Sequence, residues 1–272
     1  MNNIIYKYDS SMLRGKKLRV ERLTRKHSFP KHWHSFYEMI WYRGCKGYCI
    51  VNGETYPVTE NCLFMLTPKD FHEICIPEDR GTEAFVISFN EQIIQSSIFS
   101  EINEGPIYIS QLPQWTGMLL ERLYQSFIQN EAHRTDYLYH MLHCILIELL
   151  ALGGSLSHLS PDISPMIRES ISLMLEDPAA AHTLAFFSER FHVSPAYFSR
   201  LFHENAGISF KQYQTMLRIE LAKRHLEEQK LPIIEVGSEC GFNNPSQFIR
   251  AFRQLTDMTP SAYRQSMLQK SQ

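Results

Sequence analysis

GFNNPSQFIRAFRQLTDMTPSAYR, residues 241–264, has a counterpart about fifty residues earlier in the same chain. Phe198, Arg200 and Phe202, followed by Gly207-Ile208-Ser209-Phe210 and Tyr213, line up position for position with Phe248, Arg250 and Phe252, Asp257-Met258-Thr259-Pro260 and Tyr263. Upstream, SERFHVSPAYF (188–198) faces GSECGFNNPSQF (237–248), with one extra residue in the second turn. Ser194-Pro195, Asn244-Pro245 and Thr259-Pro260 each set a side chain able to cap a helix before a proline suited to the first helical position. Each copy therefore predicts helix, tight turn and second helix, with a longer helix over about 209–229 between the copies.

The residue types follow from the packing of such a motif. Small Ser188 and Gly237 let the two helices approach closely, and Gly241 supplies a turn residue of positive φ, a place taken by His192 in the first copy. Phe198 with Phe202, and Phe248 with Phe252, stand four residues apart and bury together, which turns the opposite face of each second helix outward. That face carries Tyr197, Ser199, Arg200 and His203 in the first copy, and Ser246, Gln247, Arg250, Arg253 and Gln254 in the second. Helix 245–255 holds two arginines and no acid. In the major groove Arg reads guanine, Asn or Gln reads adenine, and Ser and helix N-termini hold phosphates. The expected DNA contacts are thus Tyr197, Ser199, Arg200, His203, Asn243, Asn244, Ser246, Gln247, Arg250 and Arg253. Two such helices in successive major grooves must stand roughly 34 Å apart, which a rigid helix of about twenty residues, roughly 30 Å long, can set. Plain α-helical packing is the competing account, since 161–272 holds 12 basic and 12 acidic residues. Matching caps, turns and aromatic pairs in two copies favour the DNA reader.

These residues resemble the DNA-binding domain of the AraC/XylS family of bacterial transcription regulators, with the signature at 241–264 and an agreeing copy at 183–213. Asp257 stands where the family usually has glycine, and His192 in the first turn is a second departure; Asp accepts a left-handed conformation better than most residues. The resemblance implies a monomeric two-motif reader of promoter DNA, controlled by a second domain that binds an effector, dimerises, or does both.

The rest of the chain suits such a second domain. With 272 residues, 44% of them apolar and 12% aromatic, there is material for two cores. Residues 18–90 alternate short β-rich runs with turn signals: FYEMIWY, GCKG, YCIV, Asn52-Gly53, ETYPV, CLFML, the turn around Pro68, HEICI and AFVISF. This is the pattern of a small antiparallel barrel or jelly roll. After Asn90 the period changes: 113–129 is helix-like, and Leu138, Leu142, Ile145, Leu149 and Leu152 share one helix face, which packs on the β unit or on a second copy of the chain. GGSLSHLSPDIS, 153–164, reads as a linker, with the boundary near residue 160. HWHSFYEMIWYRGCKGYCIVNGETYPV (32–58) and CLFMLTPKDFHEI (62–74) also resemble the family's sugar-binding, cupin-like barrel. The expected fold class is α+β: an arm over 1–17, a cupin-like antiparallel β-barrel (jelly roll) with two following helices over 18–152, the linker, and an all-α domain with two helix-turn-helix motifs over 165–272.

His32, His34, Glu38 and His72 form the constellation with metal-ligand chemistry. On a strand, His32, His34, Phe36 and Glu38 share one parity, favoured for the interior, while Trp33 and Tyr37 share the other. In cupins a similar H-x-H, a following Glu and a later His hold a divalent metal, and such a set suits iron, manganese, nickel or zinc. Against a metal, Asn61 and Cys62 stand where the second cupin motif resembles a Gly-Asp turn, and the resembling regulators mostly use the barrel without one. His32, His34, Phe36, Glu38 and His72 are therefore expected to contact an effector, with no cofactor; satisfying one another structurally is the alternative. Trp33, Phe36, Tyr37, Trp41, Tyr42, Tyr48 and Tyr56 crowd the first strands, which suits a sugar or another small polar ligand, although core is the commoner use of such a cluster. From Lys7 to Lys31 there are nine basic residues and two acids, which reads as a solvated arm, or as a cover for the effector pocket or a DNA contact.

A net charge of −2 announces no nucleic-acid or membrane partner, so DNA must be met locally. The start, MNNIIYKYDS, lacks the apolar core of a signal peptide, and the longest apolar run, CILIELLAL (144–152), is interrupted by Glu148 and too short to span a bilayer. Six cysteines form no C-x-x-C pair, which argues for reduced thiols and a cytoplasmic protein. No Ser-His-Asp arrangement or phosphate loop suggests an enzyme; the rival reading is a metal-dependent cupin enzyme with a helical appendage. The expected function is a sequence-specific transcription regulator that responds to a small-molecule effector, possessing double-stranded promoter DNA as partner, a homodimer, and contact with RNA polymerase if it activates. A regulator that has lost its ligand response is a third possibility.

Overall fold

The runs rich in Val, Ile, Tyr and Phe become strands in the computed structural model, which describes residues 17–24, 28–44, 46–77, 83–129, 134–152, 164–228 and 230–270. They are β1 (Leu18–Leu23), β2 (Ser28–His32), β3 (Tyr37–Arg43), β4 (Gly47–Val51), β5 (Glu54–Val58), β6 (Leu63–Leu66), β7 (His72–Cys75), β8 (Glu83–Phe89) and β9 (Ile107–Ile109). The pairings are antiparallel and build a five-stranded sheet, β1-β8-β3-β6-β9, and a four-stranded sheet, β2-β7-β4-β5. The chain divides into two compact units, this one over 1–163 and a second over 164–272.

The strand period of two assigns β3 to two different cores. Ile40 and Tyr42 join Cys49, Val51, Val58, Phe64, Leu66 and Ile74, drawn from both sheets, in one core. Tyr37, Met39 and Trp41 join Leu63, Met65, Phe85 and Ile87 in another, covered by α1 (Ser96–Ile102), α2 (Gln114–Ile128) and α3 (Arg134–Ala151). Both parities are thus buried, which corrects the expectation that only one faces inward: Tyr37 lies under the helices, and Trp33 is fully buried edge-on to Phe71 at 6.4 Å. For the apolar stripe of α3 the first of its two expected packings holds. Leu138, Leu142, Ile145 and Leu149 pack into the core of their own unit, and only Leu152 stays exposed, so the stripe is not a pairing surface.

Of the basic run, Lys17, Arg19, Arg22 and Lys31 are described. Arg19 pairs with Glu21 and Arg22 with Glu83, each at 2.5 Å on the surface of the sheet. Residues 1–16 of the arm and 153–163 of the linker lie outside the described residues; Ser164, the linker's last residue, takes the N-cap position of the next helix without a side-chain bond.

The second unit is helical: α4 (Pro165–Glu176), α5 (Leu184–Arg190), α6 (Pro195–Ala206), α7 (Phe210–Glu228), α8 (Ile233–Glu239), α9 (Pro245–Thr256) and α10 (Pro260–Lys270). Its first core is aromatic, with Phe187, Phe198, Phe202, Phe210 and Tyr213 in mutual ring contact. Its second gathers Val236, Phe248, Phe252 and Tyr263 on Ile219, Ala222 and Leu226 of α7. The approach of α8 to α9 depends on a missing side chain, because a Cβ on Gly237 would stand 2.8 Å from Phe248 Cδ1. Gly237→Ala is expected to cost about 1–3 kcal/mol through overpacking. Urea unfolding of the full chain followed by far-UV circular dichroism checks this, and an unchanged helical transition would mean that Phe248 moves aside without cost.

Candidate nucleic-acid interface and ligand cluster

The two motifs are one backbone written twice. In the first turn the N–H groups of Phe191, His192 and Val193 bond to the carbonyls of Phe187, Glu189 and Ser188; in the second, those of Cys240, Gly241 and Phe242 bond to Val236, Ser238 and Gly237. His192 and Gly241 take the left-handed conformation at φ 54° and 80°, as their matched places require. The extra residue of the second turn falls after this shared pattern. Ser194 Oγ then accepts from Tyr197 N at 3.2 Å, and Asn244 Oδ1 accepts from Ser246 N and Gln247 N at 2.8 and 3.4 Å. Asn244 Oδ1 is therefore a helix cap. Both second helices end alike, with Gly207 at φ 72° and Asp257 at φ 57°, so Asp257 adopts the left-handed cap in glycine's place.

With Phe198, Phe202, Phe248 and Phe252 fully buried, the opposite faces of α6 and α9 are presented to solvent. Tyr197, Arg200, His203, Asn243, Ser246, Gln247, Arg250 and Arg253 are exposed and Ser199 is half-buried. The faces differ in charge. Arg200 bonds to Glu204 at 2.7 Å one turn along α6, and its guanidinium lies 5.3 Å from the centre of the Tyr197 ring. Arg250 and Arg253 are ion-paired to no acid among the described residues. With Ser246, Ile249, Gln254 and Asp257 they line a shallow cleft of about 630 Å³. Ile249 was missed in the sequence, although an exposed isoleucine beside two arginines suits a thymine methyl.

A brace that the repeat does not announce holds the motifs to α7. Arg218 donates to the carbonyls of Pro178 and Ala180 at 3.1 Å each, and Gln214 donates to that of His182 at 2.6 Å. A Cβ on Gly241 would stand 2.5 Å from Ala179 O and 3.0 Å from Arg218 Cζ, so the second turn seats against the same segment.

In the first unit, His32 ends β2 and lies opposite His72, which opens β7; Glu38 sits near the start of β3 in the other sheet. His34 follows β2 as a single bridge, so the two sheets meet where these four side chains converge. His34 Nε2 and His72 Nε2 stand 3.5 and 3.6 Å from Glu38 Oε2. The His32 ring lies 4.1 Å from that of His72, and Phe36 stacks on His34 at 4.3 Å. Their relative exposures are 4% for His32, 1% for His34, 0% for His72 and 2% for Phe36, so the cluster is an interior one. Burial, with His72 and His34 close by, brings the His32 pKa down to about 3; burial also lowers that of His72 despite Glu38. For Glu38 burial works against ionisation, but His34 and His72 outweigh it and hold the carboxyl below its usual range.

The loop bearing His72 is held by residues that sequence reading passed over. Asp70 accepts from Thr67 N, Thr67 Oγ1 and Asn52 Nδ2 at 2.7, 2.8 and 2.8 Å, and Asn52 Oδ1 accepts from Phe71 N at 2.9 Å. The available signal was the pair of turns at Asn52-Gly53 and Pro68. Asn61, at φ 66°, makes a left-handed turn of its own and ties Trp41 Nε1 to the Leu112 carbonyl through bonds of 2.9 and 2.7 Å. A separate cleft of about 700 Å³ opens beside it, lined by Trp41, Arg43, Asn61, Glu83, Gln114 and Glu121 among others. It does not include the histidine cluster.

A family model described as an AraC-like ligand binding domain matches residues 18–186, and one described as a helix-turn-helix domain matches 187–266. An uncharacterized HTH-type transcriptional regulator of Bacillus subtilis, YfiF, is 25% identical over 89% of this chain and 81% of its own. The HTH-type transcriptional activator RhaR of Cronobacter sakazakii is 24% identical over 87% of each chain. The Escherichia coli regulator YijO is 38% identical over 32% of this chain and 30% of its own.

The unequal charge on the two outward faces has a measurable consequence. Arg250→Ala is expected to weaken binding to a specific duplex by about 1–3 kcal/mol, and Arg200→Ala by less, because Arg200 is engaged within its own helix. Anisotropy titrations of both variants, with circular dichroism as a fold control, test this; equal losses would remove the distinction.

Proposed function

Since the chain belongs to the AraC/XylS family of transcription regulators, with a ligand-binding domain followed by a helix-turn-helix domain, we propose that α9 is its principal base-reading helix. The single observation that carries this is the outward face of α9, where Arg250 and Arg253 have no acidic partner among the described residues and stand beside Ser246, Gln247 and Ile249. An arginine whose guanidinium is not engaged elsewhere can give both donors of its fork to guanine O6 and N7. On α6, Arg200 must first leave Glu204, so Tyr197, Ser199, Arg200 and His203 are assigned mainly to phosphate contacts and register. Asn243 and the amide nitrogen of Asn244 flank the start of α9, where a helix N-terminus favours phosphate.

In the same reading His32, His34, Phe36, Glu38 and His72 contact the effector. The support is their convergence in a domain whose family binds ligands. A sugar, for which the aromatic crowding of the first strands argued, loses support from the burial of Trp33, and of Tyr37, Trp41 and Tyr42 in the two cores. The regulator reading is preferred to that of an enzyme because relatives covering more than four fifths of the chain carry regulator names. A promoter-DNA partner supports a cytoplasmic location; among the described residues no helix is long and apolar enough to cross a membrane. A homodimer and, if the protein activates, contact with RNA polymerase complete the proposal, and a pairing surface other than the buried stripe of α3 is required.

Fluorescence anisotropy of the full chain against duplexes from its own upstream region, with a scrambled duplex as control, tests the proposal. The expected result is sequence-dependent binding, with log K falling against log salt by a slope of several phosphates. Equal, weak binding to both duplexes with and without cell extract as an effector source would overturn the assignment of α9.

A further inference from the structure

The interior cluster of the first unit holds more than a set of polar contacts. His34 Nδ1 faces the Phe36 carbonyl at 2.6 Å and His72 Nδ1 the Asp70 carbonyl at 3.5 Å. A ring nitrogen facing a carbonyl carries the hydrogen, so in the neutral imidazole Nε2 is left as a lone pair. Both Nε2 atoms are buried without a hydrogen-bond partner among the described residues, and both stand nearest Glu38 Oε2. Two imidazole lone pairs and a carboxylate oxygen thus face one another in the interior. A charge-assisted hydrogen bond closes to about 2.7–2.9 Å, well short of the 3.5 and 3.6 Å seen here.

We propose that His34 Nε2, His72 Nε2 and the Glu38 carboxylate bind a divalent first-row transition-metal ion. The three donor atoms lie within 4.8 Å of one another. Ligands about 2.0–2.2 Å from one ion at tetrahedral to octahedral angles stand roughly 3.0–3.6 Å apart, which the two measured separations match. Two imidazoles and one carboxylate select Mn, Fe, Co, Ni or Zn over Ca or Mg. The bonds from Nδ1 to backbone carbonyls are the outer contacts that orient metal-binding histidines, and the Thr67, Asp70 and Asn52 network fixes the loop that carries His72. His32 packs against the His72 ring as a positioning neighbour. Three protein donors leave a coordination position for water or for a donor group of the effector, so the inference rests on the reading of this cluster as the ligand site and names what it holds first.

The test uses the full chain, freed of metal by dialysis against a chelator and titrated with Co²⁺ and Zn²⁺. Expected are one Co²⁺ per chain, weak visible d–d absorption without the near-ultraviolet band of cobalt bound to thiolate, and a melting temperature raised by Zn²⁺. His72→Ala and Glu38→Gln are each expected to weaken Co²⁺ binding by about a hundredfold. Cys144→Ser, at an exposed thiol, should leave binding unchanged. If His72→Ala does not fold by circular dichroism, His34→Gln carries the comparison. No saturable Co²⁺ binding by the folded wild type, a thiolate spectrum, or unchanged affinity in the folded variants would overturn the metal. Activity of the regulated promoter in the native cell separates the two readings. A response lost in Glu38→Gln with DNA binding intact, but without metal binding, overturns the metal and keeps the ligand site; an unchanged response overturns both.

Discussion

Phe198 with Phe202, and Phe248 with Phe252, are fully buried one helical turn apart, and a helix held at two points of one stripe cannot rotate about its axis. Burying each ring is worth about 1.5–3 kcal/mol, against the few tenths that an exposed pair along a helix contributes. The aromatic stripe therefore sets the phase of α6 and α9, and the charged residues take the directions that remain. Arg250 and Arg253 face outward because Phe248 and Phe252 face inward. The same argument joins the motifs to α7, where Tyr213 packs on Phe202 while Leu226 and Tyr263 share the core of Phe252. Arg218, bonded to the segment against which Gly241 seats, adds a polar brace where apolar contact ends.

The first unit is governed by the corresponding constraint on a strand. β3 is buried on both faces, so its alternate residues are shared between a core of two sheets and a core of sheet and helices. A one-residue slip would exchange the two sets, exposing the helix core to Glu38. Glu38 continues the row of Ile40 and Tyr42 and so reaches the interior at the end of the sheet, where β2 and β7 deliver the histidines. A carboxylate is held in such a place only when partners offset the loss of water. His34 and His72 converge on it there, the ion proposed between the three donors supplies that offset, and Phe36 stacked on His34 helps to keep the water out.

Much of this was legible in the chain itself. The repeat, the cap residues Ser194 and Asn244, the left-handed positions His192, Gly241 and Asp257, and the aromatic spacing are local features, readable within a dozen residues. The antiparallel runs and the helices at 114–128 and 134–151 were legible for the same reason. The parity argument failed for Tyr37 because it counted one buried face, whereas helices from about sixty residues away supply a second, and for Trp33 because Phe71 buries it. β9 and α1 gave no strong periodic signal, being short, and α1 has no side-chain cap.

What the sequence by itself determined is the architecture of the reader, two helix-turn-helix copies with an outward basic face, because capping, turn strain and the burial of residues four apart act over short stretches. Tertiary structure alone decided which arginines are unengaged, since Arg200 and Arg250 occupy matched places and differ through Glu204. It alone decided that the α3 stripe covers its own sheet and not a second copy, a choice between two apolar surfaces that periodicity cannot express. It also brought His34, Glu38 and His72 to one point, from two sheets and a loop some thirty residues on. Spacing along a chain specifies the direction of a side chain within its own element, whereas the distance between donors on different elements is set by how those elements pack.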